Sequence, residues 1–250
     1  MSLKLVGLIP DTHRPFHHKR AYNLMLQVFS DLGVDAIYLL GDYADFYSVM
    51  SHQKDPRLPS MLEKEVEDIN LGLDELDDIF PDAKKTYIEG NHCYRLERYL
   101  QDKAPAIFGM VDCQQLFGMY NRPNWNWISY KPDQSVKILN SKLYARHEPV
   151  GTSARVTAAR SLCSVVFGHT HRIEESHIVG LDGSNHVAFS VGWLGDARKD
   201  QVFGYVKNHN QWQMGFGLVW IETKTRYFYH QKIHILDNIT CVVNGKIYKP

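Results

Sequence analysis

The chain has 250 residues, 44% of them hydrophobic and 22% charged, a balance that fits a folded globular protein and excludes an extended disordered one. Lys plus Arg equals Asp plus Glu at 28 each, which excludes the global positive field that drives sequence-independent binding to nucleic acid. At this length a single layered domain over residues 1–250 is expected, and neither a bilayer-spanning apolar run nor a signal-peptide pattern at Met1 to Pro10 is found.

The first apolar run, Leu3 to Ile9, reads as a buried strand that stops at Pro10-Asp11. Apolar residues from Ala21 to Leu32 recur at helical spacing and Gly33 supplies a stop, so a helix is predicted from about Lys19. Ala36 to Leu40 is a second buried strand, running straight into Gly41-Asp42. Ser60 and Glu63 have capping-box spacing ahead of a helix whose apolar face, Leu62 to Phe80, ends at Pro81. A third strand, Lys85 to Glu89, ends at Gly90-Asn91-His92, and Leu96, Tyr99 and Leu100 predict a further helix. Alternating strands and helices imply parallel strands joined by crossovers, and ligands of such sheets collect beyond the carboxyl ends of the strands.

Asp112 to Asp133 reads as loop, Val136 to Arg146 as extended chain ending at His147, and Ser153 to Leu162 as helix. Ser164 to Phe167 is another buried strand and delivers Gly168-His169-Thr170-His171. Beyond Ile173 the pattern changes to short strands around His177, Val187 to Val191, Leu218 to Glu222 and Tyr227 to Ile235, with a tight turn at Asn244-Gly245. The region 173–250 is therefore expected to be antiparallel and to complete a second sheet. Cys93, Cys113, Cys163 and Cys241 lack CxxC spacing and are expected to be free thiols in a reducing, cytoplasmic compartment.

Asp11 and His13, Asp42 and Asp45, Asn91 and His92, His147, and His169 with His171 thus fall at the ends of five apolar strands. A single such cluster is an ordinary set of caps and turn residues; five in succession are hard to obtain from packing alone. Two divalent ions roughly 3.5–4 Å apart need a bridging anionic ligand with N and O donors on either side, and this set contains that inventory.

The order Asp-x-His, Gly-Asp-x-x-Asp, Gly-Asn-His, His, Gly-His-x-His resembles the calcineurin-like metallophosphoesterase superfamily over Asp11 to His171, about two thirds of the chain. The resemblance implies an α/β fold, a four-layer αββα sandwich of two mixed β-sheets flanked by helices. It further implies that Asp11, His13 and His171 hold one metal, that Asn91, His147 and His169 hold the other, and that Asp42 bridges them. His92 would be the non-ligand histidine that donates to a phosphoryl oxygen or the leaving group, with Asp45 orienting it. The implied cofactors are two divalent cations, Mn2+ foremost with iron or zinc as alternatives. The implied reaction is in-line attack on phosphorus by a hydroxide bridging the metals. Cys93 stands where the family has Asp or Glu, and Glu148 where Gly is common, which bears on metal preference and tuning.

Arg95 is placed to reach a non-bridging phosphoryl oxygen, whereas Arg98, Arg14, His17 and His18 read more readily as surface groups. Tyr43 and Phe46 either stack on a nucleobase or pack under their loop, and Trp125-Asn126-Trp127 reads as core or lid packing. His52, His177, His186, His209, His230 and His234 read as structural or exposed. The leading expectation is a phosphohydrolase of phosphomonoesters or small phosphodiesters, nucleotides first, similar to phosphoesterases of bacterial viruses and bacteria. A second is a DNA or RNA nuclease, which needs Lys131, Lys137, Lys142, Arg146 and Arg155 to cluster near the metals; nucleic acid is thus the less favoured partner. A third is a non-catalytic scaffold such as the retromer subunit of this fold, which contrasts with the complete set of site residues here. No membrane partner is expected, and the oligomeric state is left open.

Overall fold

The computed structural model describes residues 2–51, 54, 61–131, 134–196 and 209–250. In chain order the elements are β1 (Leu3–Ile9), α1 (Lys19–Leu32), β2 (Ala36–Leu39), α2 (Leu62–Ile79), β3 (Lys84–Ile88), α3 (Tyr94–Lys103), α4 (Cys113–Leu116) and β4 (Trp125–Ile128). There follow β5 (Val136–Lys137), β6 (Leu143–Arg146), α5 (Ala154–Ser161), β7 (Ser164–Phe167), β8 (Ile173–Val179) and β9 (Asn185–Val191). The last four are β10 (Gly215–Glu222), β11 (Phe228–His234), β12 (Cys241–Val243) and β13 (Lys246–Tyr248).

Two mixed sheets result, one ordered β11-β10-β1-β2-β3-β4 and the other β5-β6-β7-β9-β8. Strands β1 to β4 run parallel, as do β6, β7 and β9. Side chains alternate across each strand. In β1, Val6 and Leu8 enter a core between the sheets with Tyr38, Ala145, Val166, Phe189 and Val219, whereas Leu5 and Ile9 face the opposite way. On that outer face α1, α2 and α3 bury Val28, Phe29, Leu73, Leu76 and Leu96. Helix α5 covers the outer face of the second sheet through Ala154 and Ala158 against Phe167 and Ala188. The order helix, sheet, sheet, helix is the expected four-layer sandwich.

Helix α1 begins and ends for local reasons. His18 caps it, its ring Nδ1 accepting the Ala21 N–H at 3.2 Å, and Gly33 closes it in the left-handed region at φ 66° with its N–H on the Phe29 carbonyl. His18 is therefore a cap. Ser60, read as the head of α2, lies outside the described residues, as does His52.

Three local expectations are corrected. The segment expected to be loop contains α4 and β4, and Trp127 of β4 stacks on Tyr87 with centroids 4.5 Å apart, which is core packing. The extended stretch before His147 is broken by a tight turn at 138–140 into β5 and β6. The C-terminal region does not simply complete the second sheet: β8 and β9 join it, β9 lying parallel to β7, but β10 returns to the first sheet antiparallel to β1 and brings β11 with it. Strands β12 and β13 form a separate hairpin. Among the described residues no helix is long and apolar enough to cross a membrane.

Candidate metal centre

The parallel strands of both sheets deliver their C-terminal ends to one edge. Past β1 come Asp11 and His13; past β2, Asp42 and Asp45; past β3, Asn91 and His92; past β6, His147; past β7, His169 and His171. The structure brings all of them together. Asp11, His13 and His171 have ligand atoms within 4.8 Å of one another, as do Asp42, His147 and His169, and as do His13, Asp42 and His92.

The chain bends unusually to do this. His13, Asp42, His169 and His171 have φ of 51°, 47°, 67° and 57°, a region that side chains with a Cβ avoid. Gly41 precedes Asp42 at φ 100°, and a Cβ there would overlap the His147 ring. Gly90 lies against the Asp42 carboxylate and backbone, where a Cβ would also overlap. These glycines let neighbouring loops approach until the polar groups meet.

His13 Nδ1 faces Asp45 Oδ2 at 2.9 Å, and His147 Nδ1 faces the Leu40 carbonyl at 3.0 Å. Each acceptor fixes a proton on Nδ1 and turns the Nε2 lone pair inward. His13 Nε2 lies 3.1 Å from His171 Nε2, which in turn lies 3.2 Å from Asp11 Oδ2. Asp42 Oδ2 lies 3.2 Å from His147 Nε2, and Asn91 Oδ1 lies 2.9 Å from His147 Nε2 and 3.0 Å from His169 Nδ1. Donors of one metal at bond lengths of about 2.1 Å sit roughly 3.0–3.4 Å apart, so these spacings match those of a shared cation. Asp, Asn and His side chains this close together offer the mixed N and O donors that divalent cations take. The donors present thus fit divalent metals.

Both carboxylates of the cluster are held in their ionised form. Burial opposes ionisation of Asp42, yet His147, His92 and His13 outweigh it and hold the carboxyl well below its usual range. Asp11 is likewise buried but held low, chiefly by His171. Asp45 is also buried, and His92, His13 and Arg95 keep it ionised. Burial works against charge on His147, but Asp42 and Asp11 raise it to about 9. His169 and His171 are pushed down by burial.

His92 and Arg95 differ in detail from expectation. Asp45 Oδ2 receives His92 Nδ1 at 3.1 Å, as anticipated for an orienting carboxylate. Arg95, expected to present itself to a phosphoryl oxygen, is buried: NH1 donates to the Asp45 carbonyl and Oδ1 at 3.0 Å and NH2 approaches His92 Nε2 at 2.8 Å. A buried carboxylate is a stronger claim on a guanidinium than open solvent, so Arg95 acts on the Asp45–His92 pair. Arg98 is exposed and lies over the Tyr94 ring. Arg14 and His17 turn away into a buried contact with Asp68, Arg14 lying over Tyr22 and Tyr43. Tyr43 and Phe46 are fully buried, bonded to Tyr22 and stacked on Phe117, so neither offers a face to a base.

Two further features were not singled out in the sequence. Glu65 of α2 accepts both the N–H and hydroxyl of Ser48 at 2.9 Å, pinning the loop that carries Asp45. Trp193 stacks on His171, with centroids 5.0 Å apart. The signal for Trp193 is topological: β9 is parallel to β7 and ends at the same edge, so the residues after Val191 reach the same site.

Among solved structures, vacuolar protein sorting 29 from Cryptosporidium parvum is 13% identical with a TM-score of 0.45, covering 98% of this chain and 94% of that one. Yfce, a phosphoesterase from E. coli, is 16% identical with a TM-score of 0.40, covering 91% and 98%. Gene 54 protein of Mycobacterium phage L5 is 24% identical over 264 residues, spanning 98% of this chain and 96% of that protein. The family model for calcineurin-like phosphoesterases matches residues 5–243, nearly the whole chain, and with that match the chain belongs to the calcineurin-like phosphoesterase family.

Proposed function

We propose that this protein is a dinuclear-metal-dependent phosphoesterase that hydrolyses phosphomonoesters or small phosphodiesters, nucleotides foremost, and that residues 1–250 work as one domain. The observation that carries the reading is the convergence of Asp11, His13, Asp42, Asn91, His147, His169 and His171, from loops of both sheets, onto one point. In this reading Asp11, His13 and His171 hold one cation, Asn91, His147 and His169 the other, and Asp42 both. The bound pair, Mn2+ first and iron or zinc as alternatives, supplies a nucleophile from water near neutral pH and neutralises charge on the phosphoryl oxygens.

The chain's own residues do the rest. His92 works from Nε2, whose neighbours are Arg95 NH2 at 2.8 Å and Asp42 Oδ2 at 3.8 Å. Arg95 NH2 donates to Nε2, so His92 would donate to the departing oxygen only as an imidazolium that has taken a proton from solvent at Nε2 and released Arg95. Asp45 keeps Nδ1 protonated and the ring in place, and Arg95 keeps Asp45 ionised and fixed.

The placement of Lys137 and Lys142 does not favour the nuclease reading. Lys142 precedes β6, about 15 Å of strand away from His147, and lies over Tyr227; Lys137 lies over Tyr144. Arg146 is buried. The test is a hydrolysis screen of Mn2+-loaded protein across nucleoside monophosphates, cyclic nucleotides, bis-p-nitrophenyl phosphate and oligonucleotides. Turnover of the small esters that disappears in His92→Ala supports the reading; turnover of oligonucleotides alone, or of nothing, contradicts it.

A further inference from the structure

Two imidazoles in the centre are held from behind by hydrogen bonds, and a third is held differently. His13 and His147 give Nδ1–H to Asp45 and to the Leu40 carbonyl, the usual way in which a ligating histidine is fixed in one tautomer and one ring plane. His171 is buried and directs Nε2 at Asp11 and His13, but its Nδ1 meets no hydrogen-bond partner among the described residues. Indole surrounds it instead. Trp193 stacks on the imidazole at 5.0 Å with planes 11° apart, and Trp212 meets it edge to face at 4.4 Å and 75°. The indoles brace each other at 4.6 Å and 64°. The backbone at Trp193, a residue 2% exposed, is tied down: its amide N–H donates to the Gln213 carbonyl at 3.1 Å and the Gln213 amide N–H donates to the His171 carbonyl at 2.8 Å.

We propose that Trp193 and Trp212 are positioning residues for His171, fixing by aromatic packing what Asp45 and Leu40 fix by hydrogen bonding for His13 and His147. The second torsion of a histidine is soft, so an imidazole with no partner on Nδ1 has little to stop it turning. The stacked indole fixes the ring plane and the edge-on indole blocks rotation out of it. Nε2 is thereby kept on the half of the centre formed by Asp11 and His13. The inference rests on the dinuclear reading given above and adds to it which residues make that half bind tightly.

The test counts bound Mn2+ by electron paramagnetic resonance of the free ion during titration of the full chain. The wild type is expected to take up two ions. Trp193→Leu is expected to weaken one of the two by about tenfold or more, leaving the other unchanged, and Trp193→Phe to stay within about threefold of wild type. Repeating the titration in a His147→Ala background, which disables the other half, assigns the weakened ion to the Asp11–His13–His171 half. Trp212 is less buried, so Trp212→Leu gives the same readout should Trp193→Leu fail to fold; melting curves establish which variants are folded. Folded leucine variants that titrate like wild type overturn the proposal while leaving the dinuclear reading intact. Equal weakening of both ions, or no rescue by Phe, also overturns it, since either points to general packing. A wild type that binds no Mn2+ overturns the dinuclear reading and the proposal with it.

Discussion

The two oxygens of Asp42 face different tasks. Oδ1 accepts the backbone N–H of His92 at 2.8 Å and so locks the carboxylate, while Oδ2 is left toward His147 at 3.2 Å and the interior of the cluster. Asp42→Asn keeps the first contact and removes the charge. It is expected to lose both Mn2+ ions and at least about a hundredfold in hydrolysis while keeping its melting temperature in chelator, as metal analysis and calorimetry would show. His92→Ala separates chemistry from binding. Its kcat is expected to fall by about 10²–10⁴ with two ions still bound, and steady-state kinetics beside metal counts would check this. Should His92→Ala also lose a metal, His92 is a ligand, as its proximity to His13 and Asp42 makes geometrically feasible.

At the scale of elements, loops after strands carry the proposed ligands and helices hold the loops. Glu65 on α2 illustrates the second task. Burial, opposed by its two hydrogen bonds from Ser48, raises its carboxyl to about 7 from the ordinary 4.5. The folded state therefore binds this proton more tightly than the unfolded chain. Stability from this group is greatest below pH 4.5 and falls as pH rises toward 7, by at most about 3 kcal/mol. Glu65→Gln, whose amide oxygen still accepts the Ser48 N–H, is expected to flatten that slope and to exceed wild type in stability at pH 8. Urea denaturation across pH 4–8 measures it, and parallel curves for the two proteins would contradict it. Strands of this kind were legible because each is a short apolar run that stops at an acid, an amide or a histidine, which local composition records. The pairing of β10 with β1 was not, because a half-buried strand carries no mark of which sheet edge it joins. Arg95 was misplaced for a similar reason: its position after Gly-Asn-His was visible, but its capture by a buried Asp45 depends on a loop fifty residues earlier. Trp193 lay beyond the motifs and became meaningful only through the parallel register of β9.

For the whole molecule, the centre belongs to neither sheet alone. Asp11, Asp42 and Asn91 come from loops of the first sheet, and His147, His169 and His171 from loops of the second. A cation held by both would be a cross-link between the two halves of the sandwich, formed only when Val6, Leu8, Val166 and Phe189 have packed between them. Metal should therefore stabilise the fold as a ligand of the native state, by about 2.7 kcal/mol per site at a hundredfold excess over Kd. A melting temperature that rises with Mn2+ and returns to its starting value with chelator would bear this out. The most direct test of the account is anomalous diffraction from crystals soaked in Mn2+. The account predicts two peaks about 3.5–4 Å apart, with Asp42 Oδ2 bonded to both. A single peak, or two peaks without a shared carboxylate, would contradict it.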